Sequence, residues 1–407
     1  MTGLCDCNSF FASSEKVFRP DLKDRPVVVL SNNDGIVVAL VGKAKELGLT
    51  RGDAWFQVEN YAKANGVVAF SSNYTLYQDL SDRVMNMLSS LSPAIEPYSI
   101  DEAFFTLSPD HSPEEVRRII TQSTGVPVSI GIGRTKTLAK IASKKAKKAR
   151  SGAFLLDTKN EDSILGEFPV EDVWGVGWSW GKKLPKLGIR TAKALREVDE
   201  AFVKRHFNVC LQRTIDELNG IEAHKEGDQN ISIQSGISFS EPIFKIEDMT
   251  TALILQAQTM AAKLTEKKLM AKPLGINFAT SRFSDDWRSP YGAVRLRHAS
   301  NYTPDFSEAI EFLVPQLFEE GARYKNCHVF GYDLVSEEDR EPEFFENPYL
   351  IQKETAVAHV VGEITKHYGR NTLQTAASYG KDKSDLMRRE KKSPYYTTRF
   401  SELAEVY

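Results

Sequence analysis

Cysteine is scarce in this 407-residue sequence. Cys5, Cys7, Cys210 and Cys327 are the only four, and no two of them form a C-x-x-C pair. That argues against a structural zinc site and fits a reducing compartment. Long apolar runs are also missing, and none approaches the ~18 residues of a membrane span. The opening stretch MTGLCDCNSFFASSEK lacks a basic start followed by an apolar core, so no signal peptide is expected. Repeats of solenoid period and low-complexity tracts are absent too. Neither sign of charge dominates, since the net charge is −3, so bulk charge does not advertise nucleic-acid binding. A soluble cytoplasmic protein is expected.

What is present is an ordinary globular balance, 41% hydrophobic and 26% charged. At ~150 residues per domain the length suggests two to four domains. Local charge is more informative. Lys136, Lys140, Lys144, Lys145, Lys147, Lys148 and Arg150 fall in fifteen residues with no acidic residue among them. A solvated helix face usually mixes signs, so this run is a candidate phosphate-facing surface.

Hydrophobic periodicity orders the chain. Residues 4–11 alternate as a strand, with Leu4, Asp6 and Asn8 on one face and Cys5 and Cys7 on the other. A second strand at 26–30 ends in the turn-rich run Ser31-Asn32-Asn33-Asp34-Gly35, and residues 36–49 read as strand into helix. Tyr77, Leu80, Val84, Leu88 and Leu91 give an amphipathic helix over 73–91. A strand-turn-strand at 95–107, a helix at 113–123, a strand at 126–132, the basic helix 135–148 and a strand at 153–156 follow. This order resembles a ferredoxin-like sheet with an insertion, an α+β fold. Residues 168–220 are helical, residues 219–230 read as a linker, and 231–335 form a second α+β region. Beyond Ser336 the chain turns acidic, then helical over 352–368, then polar and basic.

Asp6 inside the apolar stretch LCDCNSF and the pair Asp101-Glu102 at a strand turn are the candidate metal ligands. Phosphoryl transfer builds negative charge that two divalent ions stabilise, and carboxylates on rigid strands suit Mg2+. An Asp-Glu pair in a turn is by itself usually only solvated. A carboxylate in an apolar strand is costly unless paired or metal-bound. The residues alone leave the metal site and the solvated turn evenly balanced.

Residues 4–13 (LCDCNSFFAS), 31–35 (SNNDG), 70–74 (FSSNY), 98–104 (YSIDEAF) and 135–140 (TKTLAK) resemble Y-family DNA polymerases, most nearly the UmuC-type catalytic subunits. The likeness is near-continuous to about residue 220 and returns at 393–399 (SPYYTTR). It implies a right-hand architecture: a ferredoxin-like palm (1–18 and 72–166), small fingers (19–71), a helical thumb with a helix-hairpin-helix (167–230), a little-finger α+β DNA-binding domain (231–335) and a partner-binding tail (336–407). It implies Asp6, Asp101, Glu102 and the Cys7 carbonyl as ligands of two Mg2+ ions. Phe11 would be the steric gate against a ribose 2′-hydroxyl, with Phe10 beside it. Lys45 and Lys147 would meet the triphosphate. Gly42 and Ala39 stand where some relatives place Tyr- and Thr-type contacts. With Gly35 they imply a roomy fingers segment and weak discrimination between base pairs.

The same resemblance makes Gly175-Val176-Gly177 with Lys182 and Lys183 a backbone-gripping hairpin, although Pro185, Trp178 and Trp180 depart from the pattern. Arg282, Arg288, Arg295 and Arg297 would face DNA, with Arg295 and Arg297 on one strand face. Two other motifs fail: residues 131–137 (GIGRTKT) lack phosphate-loop spacing, and Gly175-Val176-Gly177 is too little for a dinucleotide fingerprint. The expected activity is error-prone synthesis past damaged bases on primer-template DNA from deoxynucleoside triphosphates, in the cytoplasm at the nucleoid. Implied partners are a UmuD-type dimer and a recombinase filament, with a degenerate sliding-clamp peptide at Phe344 and Phe345. The competing readings are another palm enzyme, such as a nucleotide cyclase, and a non-catalytic scaffold at damaged DNA.

Overall fold

The computed structural model describes residues 1–224, 232–282, 284–340, 347–368, 372–373, 375–376 and 387–403. It divides into two compact units, Met1–Gly227 with Glu390–Tyr407, and Asp228–Arg389.

The first unit is built on a five-stranded sheet. Its strands are β1 (Thr2–Cys7), β5 (Ile95–Pro97), β6 (Glu102–Thr106), β7 (Val128–Gly133) and β8 (Ala153–Leu155), in the order β5-β6-β1-β7-β8. Helices α4 (Tyr74–Leu91) and α5 (Pro113–Thr124) cover one face. There Cys5 and Cys7 meet Leu80, Val84, Val116 and Ile120. On the opposite face lies α6 (Lys136–Ala146), where Leu4 packs with Phe104 and Ala139. The alternation read from the sequence is therefore real for residues 4–7: Asp6 shares the α6 face with Leu4. Two glycines of β7 let α6 come close. A Cβ at Gly131 would lie 2.1 Å from the Ser143 nitrogen, and one at Gly133 would lie 2.6 Å from the Ala139 nitrogen.

The strand expected to reach Phe11 stops at Cys7. Ser9 is left-handed, at φ 47°, and helix α1 runs Phe10–Val17. Asn8 causes the break. Its carbonyl accepts from Ser13 Oγ at 2.6 Å and its side-chain oxygen accepts from Ser129 Oγ at 2.9 Å, which closes a turn instead of extending the ladder.

Between β1 and α4 is inserted a small sheet of β2 (Val27–Leu30), β3 (Val37–Val41) and β4 (Val68–Ser71), with α2 (Lys43–Glu46) and α3 (Trp55–Ala64). Its order is β3-β2-β4, and Val28, Leu30, Val37, Leu40 and Trp55 form its own core. After β8 come the short helices α7 (Glu161–Glu167), α8 (Trp178–Lys183), α9 (Ala192–Arg196), α10 (Glu200–His206) and α11 (Val209–Leu218). They close around Leu165, Val173, Leu184, Leu195 and Leu211.

The second unit is an antiparallel sheet of β9 (Ser232–Ile243), β10 (Leu269–Thr280), β11 (Tyr291–Ser300) and β12 (Tyr324–Tyr332), in the order β11-β10-β12-β9. Helices α12 (Ile246–Glu266) and α13 (Thr303–Leu317) pack their apolar sides on one face. A short β13 (Val335–Ser336) and the long helix α14 (Pro348–Tyr368) follow. His298 Nε2 lies 3.3 Å from Asp305 and 3.4 Å from Glu354, which ties α14 to β11 and α13. The sequence is thus not followed by one tail: α14 belongs to the second unit, and residues 390–403 return to the first. No helix among the described residues is long and apolar enough to cross a membrane.

Candidate active site

Asp6 and Glu102 face each other directly, paired in the antiparallel register of β1 and β6. Asp101 sits one residue before β6, and its carbonyl accepts from the Cys7 N–H at 2.8 Å. Its carboxylate accepts from Ser99 Oγ at 2.7 Å. Three carboxylates are therefore fixed by two neighbouring strands and one tight turn. The Cys7 thiol is buried toward α4 and α5, and that burial raises its pKa. Only the Cys7 backbone is left to face the carboxylates.

The site's positive charge comes from α6. Lys147 Nζ donates to Asp6 at 2.6 Å, and Lys140 Nζ donates to Glu102 at 2.8 Å. Further along, Lys136 Nζ donates to Glu96 at 2.7 Å and Lys144 Nζ donates to the Asp172 carbonyl at 2.7 Å. Spacings of four, four and three residues put these four ammonium groups on one helical face. Part of the run expected to meet phosphate from solvent thus lies against acidic and carbonyl oxygens of its own chain, while Lys144, Lys147, Lys148 and Arg150 stay exposed. Burial pushes the Asp6 carboxyl up to about 6; Lys147 opposes that shift and Glu102 adds to it. The sequence offers Lys140 only as a member of the basic run, and its four-residue spacing from Lys136 puts the two on one helix face. Its ammonium lies over the Tyr98 ring at 4.3 Å and the Trp174 ring at 5.3 Å.

Of the two phenylalanines, Phe10 is buried in the core beneath the sheet. Phe11 is half-buried and stacks on Tyr77, with centroids 4.6 Å apart and planes 15° apart; it meets Tyr74 edge-on at 5.6 Å. Tyr77 in turn donates to Glu15 at 2.6 Å. Glu15 is fully buried, and burial pushes its carboxyl from 4.5 up to about 7. Between those values the folded chain holds a proton that the unfolded chain has released, so stability falls as pH rises through this window. The loss is on the order of 3 kcal/mol when complete. Glu15→Gln is expected to remove that slope. Denaturant midpoints of variant and wild type should nearly coincide at pH 4.5 and diverge by pH 8, with the variant the more stable; parallel curves would refute it.

Lys45 is exposed on α2, and no contact among the described residues joins it to the carboxylates. In the helical region Gly175 takes φ +89°, and a Cβ there would meet Thr214 Oγ1 at 2.1 Å, so its glycine is required by packing. Gly177 opens onto free space and leads into α8, where Lys182 lies over Trp178 at 3.7 Å and Lys183 over Trp180 at 5.3 Å. Pro185 falls in a short 3-10 turn that ends α8 early. In the second unit Arg295 and Arg297 are exposed on the same side of β11, and Arg297 donates to Glu308 at 2.5 Å. Arg288 pairs with Asp286 and Glu319. The sequence reading missed the aromatic row His328, Phe330 and Tyr332 on β12, with Tyr291 beside it. The period-two run CHVFGYDLV was its signal. Phe344 and Phe345 lie outside the described residues.

Comparison with known proteins follows the same outline. A model described as the impB/mucB/samB family matches residues 5–144, and the model of that family's C-terminal domain matches 231–343. A domain of unknown function, DUF4113, matches 356–406. Protein UmuC of Salmonella typhimurium is 37% identical, with 100% of each chain covered. Protein ImpB of the same organism is 35% identical over 99% of each, and DNA polymerase IV 2 of Halalkalibacterium halodurans is 25% identical over 92% of this chain and 94% of that one. Among solved structures, a Y-family DNA polymerase chimera Dbh-Dpo4(243-245)-Dbh superposes with a TM-score of 0.65 at 17% identity, covering 82% of this chain and 99% of that one. An insertion ternary complex of Dbh DNA polymerase gives 0.55 at 17% identity, with the same coverage. With sequence likeness over the whole length and the Y-family polymerase fold, this chain belongs to the UmuC/ImpB/MucB/SamB family of Y-family DNA polymerases.

Proposed function

We propose that this chain extends primers on damaged DNA templates by two-metal-ion nucleotidyl transfer. The observation that carries the reading is the strand-borne carboxylate set: Asp6 opposite Glu102, with Asp101 held to the Cys7 backbone. Carboxylate and carbonyl oxygens are the donors Mg2+ prefers, and the lysine ammoniums on Asp6 and Glu102 mark both carboxylates as needing cationic partners. Bound Mg2+ would supply charge stabilisation at the attacking and leaving oxygens. Asp6, Asp101, Glu102 and the Cys7 carbonyl hold the ions. Lys147 and Lys140 stand where a triphosphate's charge is met, and Lys45 adds to it from the fingers. Phe11 lies under the sugar.

In the same reading the palm is 1–18 and 72–166, the fingers 19–71, the thumb 167–230 and the little finger 231–335. Gly175, Gly177, Lys182 and Lys183 grip the DNA backbone. Arg295 and Arg297, with Tyr291, His328, Phe330 and Tyr332 beside them, offer a cationic and aromatic strand face to DNA. A UmuD-type dimer, a recombinase filament and a clamp contact at Phe344 and Phe345 complete the proposed assembly, at the nucleoid in the cytoplasm.

Primer extension on undamaged and abasic templates, with and without Mg2+, tests the reading. Metal-dependent extension on both is expected. No extension even with the UmuD-type and recombinase partners present would favour the non-catalytic scaffold. Phe11→Ala is expected to raise ribonucleotide insertion relative to deoxynucleotide insertion by roughly tenfold or more, because a clash with the 2′-hydroxyl is removed. An unchanged ratio of the two kcat/KM values would take Phe11 out of the gate.

A further inference from the structure

Residues 390–403 cross the junction between the inserted β3-β2-β4 sheet and the palm helices. β4 is the edge of that sheet, and the segment pairs with it. The Ser71 N–H donates to the Lys391 carbonyl at 3.0 Å, the Lys391 N–H donates to Ser71 Oγ at 2.9 Å, and Ser71 and Lys392 form a parallel bridge. The Glu390 N–H donates to Asp34 at 3.3 Å, and Lys391 lies 3.8 Å from Glu59, so the inserted sheet is held at three points. On the other side Tyr396 stacks on Phe18, just past α1, at 5.1 Å.

Asn73 is the centre of this junction. It is the residue before α4, where an asparagine side chain ordinarily caps the helix. Here it makes no cap. Its amide Nδ2 donates to the Ser393 carbonyl at 3.1 Å, to Ser393 Oγ at 3.0 Å and to the Pro394 carbonyl at 3.2 Å. Asn73 is fully buried and Ser393 nearly so. Because Ser393 Oγ accepts from Asn73, its own proton is free to point elsewhere. The Asn73 carbonyl accepts from the Tyr77 N–H at 3.1 Å, the Tyr77 hydroxyl donates to the buried Glu15 at 2.6 Å, and Phe11 stacks on the Tyr77 ring.

We infer that residues 390–399 act as a strap that positions the sugar gate: Ser393 and Asn73 fix the first turn of α4 and the Glu15–Tyr77 pair, and these hold the Phe11 ring at its angle. The strap residues touch neither nucleotide nor metal ligand; they are positioning residues. The segment lies within the stretch matched by the domain of unknown function, and this gives that stretch a role inside the polymerase core. The inference rests on the polymerase reading and deepens it.

The test uses the full-length chain with Ser393→Ala, Tyr396→Ala and Asn73→Ala, beside Phe11→Ala as the control for the gate. The strap variants are expected to lose about tenfold in deoxy-over-ribonucleotide discrimination, through a lower KM for the ribonucleotide, with kcat, the KM for the deoxynucleotide and primer-template affinity within about twofold of wild type. Hydrogen exchange at residues 10–17 and 74–80 is expected to quicken in each of them, and this readout needs no catalysis. If wild type extends primers and Phe11→Ala relaxes discrimination while the strap variants do not, the strap inference fails and the polymerase reading stands. If wild type does not extend primers, unchanged exchange in the strap variants still overturns the strap, and quickened exchange supports it. A variant that fails to fold is replaced by Ser393→Thr, whose hydroxyl keeps the Asn73 contact and is expected to restore wild-type exchange and discrimination; failure of that rescue also overturns it.

Discussion

Exchanging Glu102 for glutamine is expected to slow nucleotide addition by about a thousandfold or more, roughly 4 kcal/mol of transition-state stabilisation, while primer-template affinity stays within a few-fold. The substitution keeps the shape of the side chain and the backbone of β6, whose Glu102 carbonyl accepts from both Tyr98 and Ser99. What it removes is one negative charge opposite Asp6. Lys140 would lose its ion-pair partner but keep the Tyr98 ring beneath it. Single-turnover extension at saturating nucleotide isolates the chemical step, and a gel shift reports binding. Near-normal extension by the variant would place the metal ligands elsewhere. A parallel loss of DNA binding would mean that the change acts through folding.

The second large effect is on stability. Gly131→Val is expected to destabilise the first unit by about 3 kcal/mol or more, at the severe end of overpacking. The first carbon of the new side chain would lie 2.1 Å from the Ser143 nitrogen and 2.5 Å from the Ala139 carbonyl, both backbone atoms of a helix that cannot yield locally. Relief requires α6 to leave the sheet, which carries Lys140 and Lys147 away from their carboxylates. Gly48→Val is the comparison. Its Cβ meets nothing within 4 Å, and only the φ of +80° opposes it, so it should cost about 1 kcal/mol. Denaturant midpoints for the two variants should differ accordingly. A Gly131→Val midpoint equal to that of Gly48→Val would mean that α6 sits less close to β7.

What could be read in advance follows from the range over which each signal acts. The face of Asp6 was legible because strand alternation is local, and Leu4 through Cys7 obey it. The strand reads on to Phe11 in the sequence because Asn8 and Ser9 close a turn that an alternating pattern does not reveal; both phenylalanines instead open a helix. The glycines of GIGRTKT lack phosphate-loop spacing, and that was legible. Their purpose, the close approach of α6, is a tertiary fact with no local mark. The motif at 393–399 was visible as sequence, but its partner Asn73 lies 320 residues away. Nothing in either segment names the other. Lys140 had its helical spacing on display, yet only the register of β1 with β6 says which carboxylate it meets.

The pairing of the α6 lysines with oxygens of their own chain bears on how this protein should respond to ionic strength. Each phosphate neutralised by a cation lowers log K by ~0.9 per decade of salt, because condensed counterions are released. Counted from sequence, residues 136–150 would contribute about seven such units to that slope. Five of the seven already have oxygens of their own chain as partners: Lys136 at Glu96, Lys140 at Glu102, Lys144 at Asp172, Lys145 at Glu167 and Lys147 at Asp6. A lysine that leaves Glu96 for a phosphate exposes a carboxylate as it goes. The salt slope of DNA binding should therefore fall well short of the lysine count on this helix.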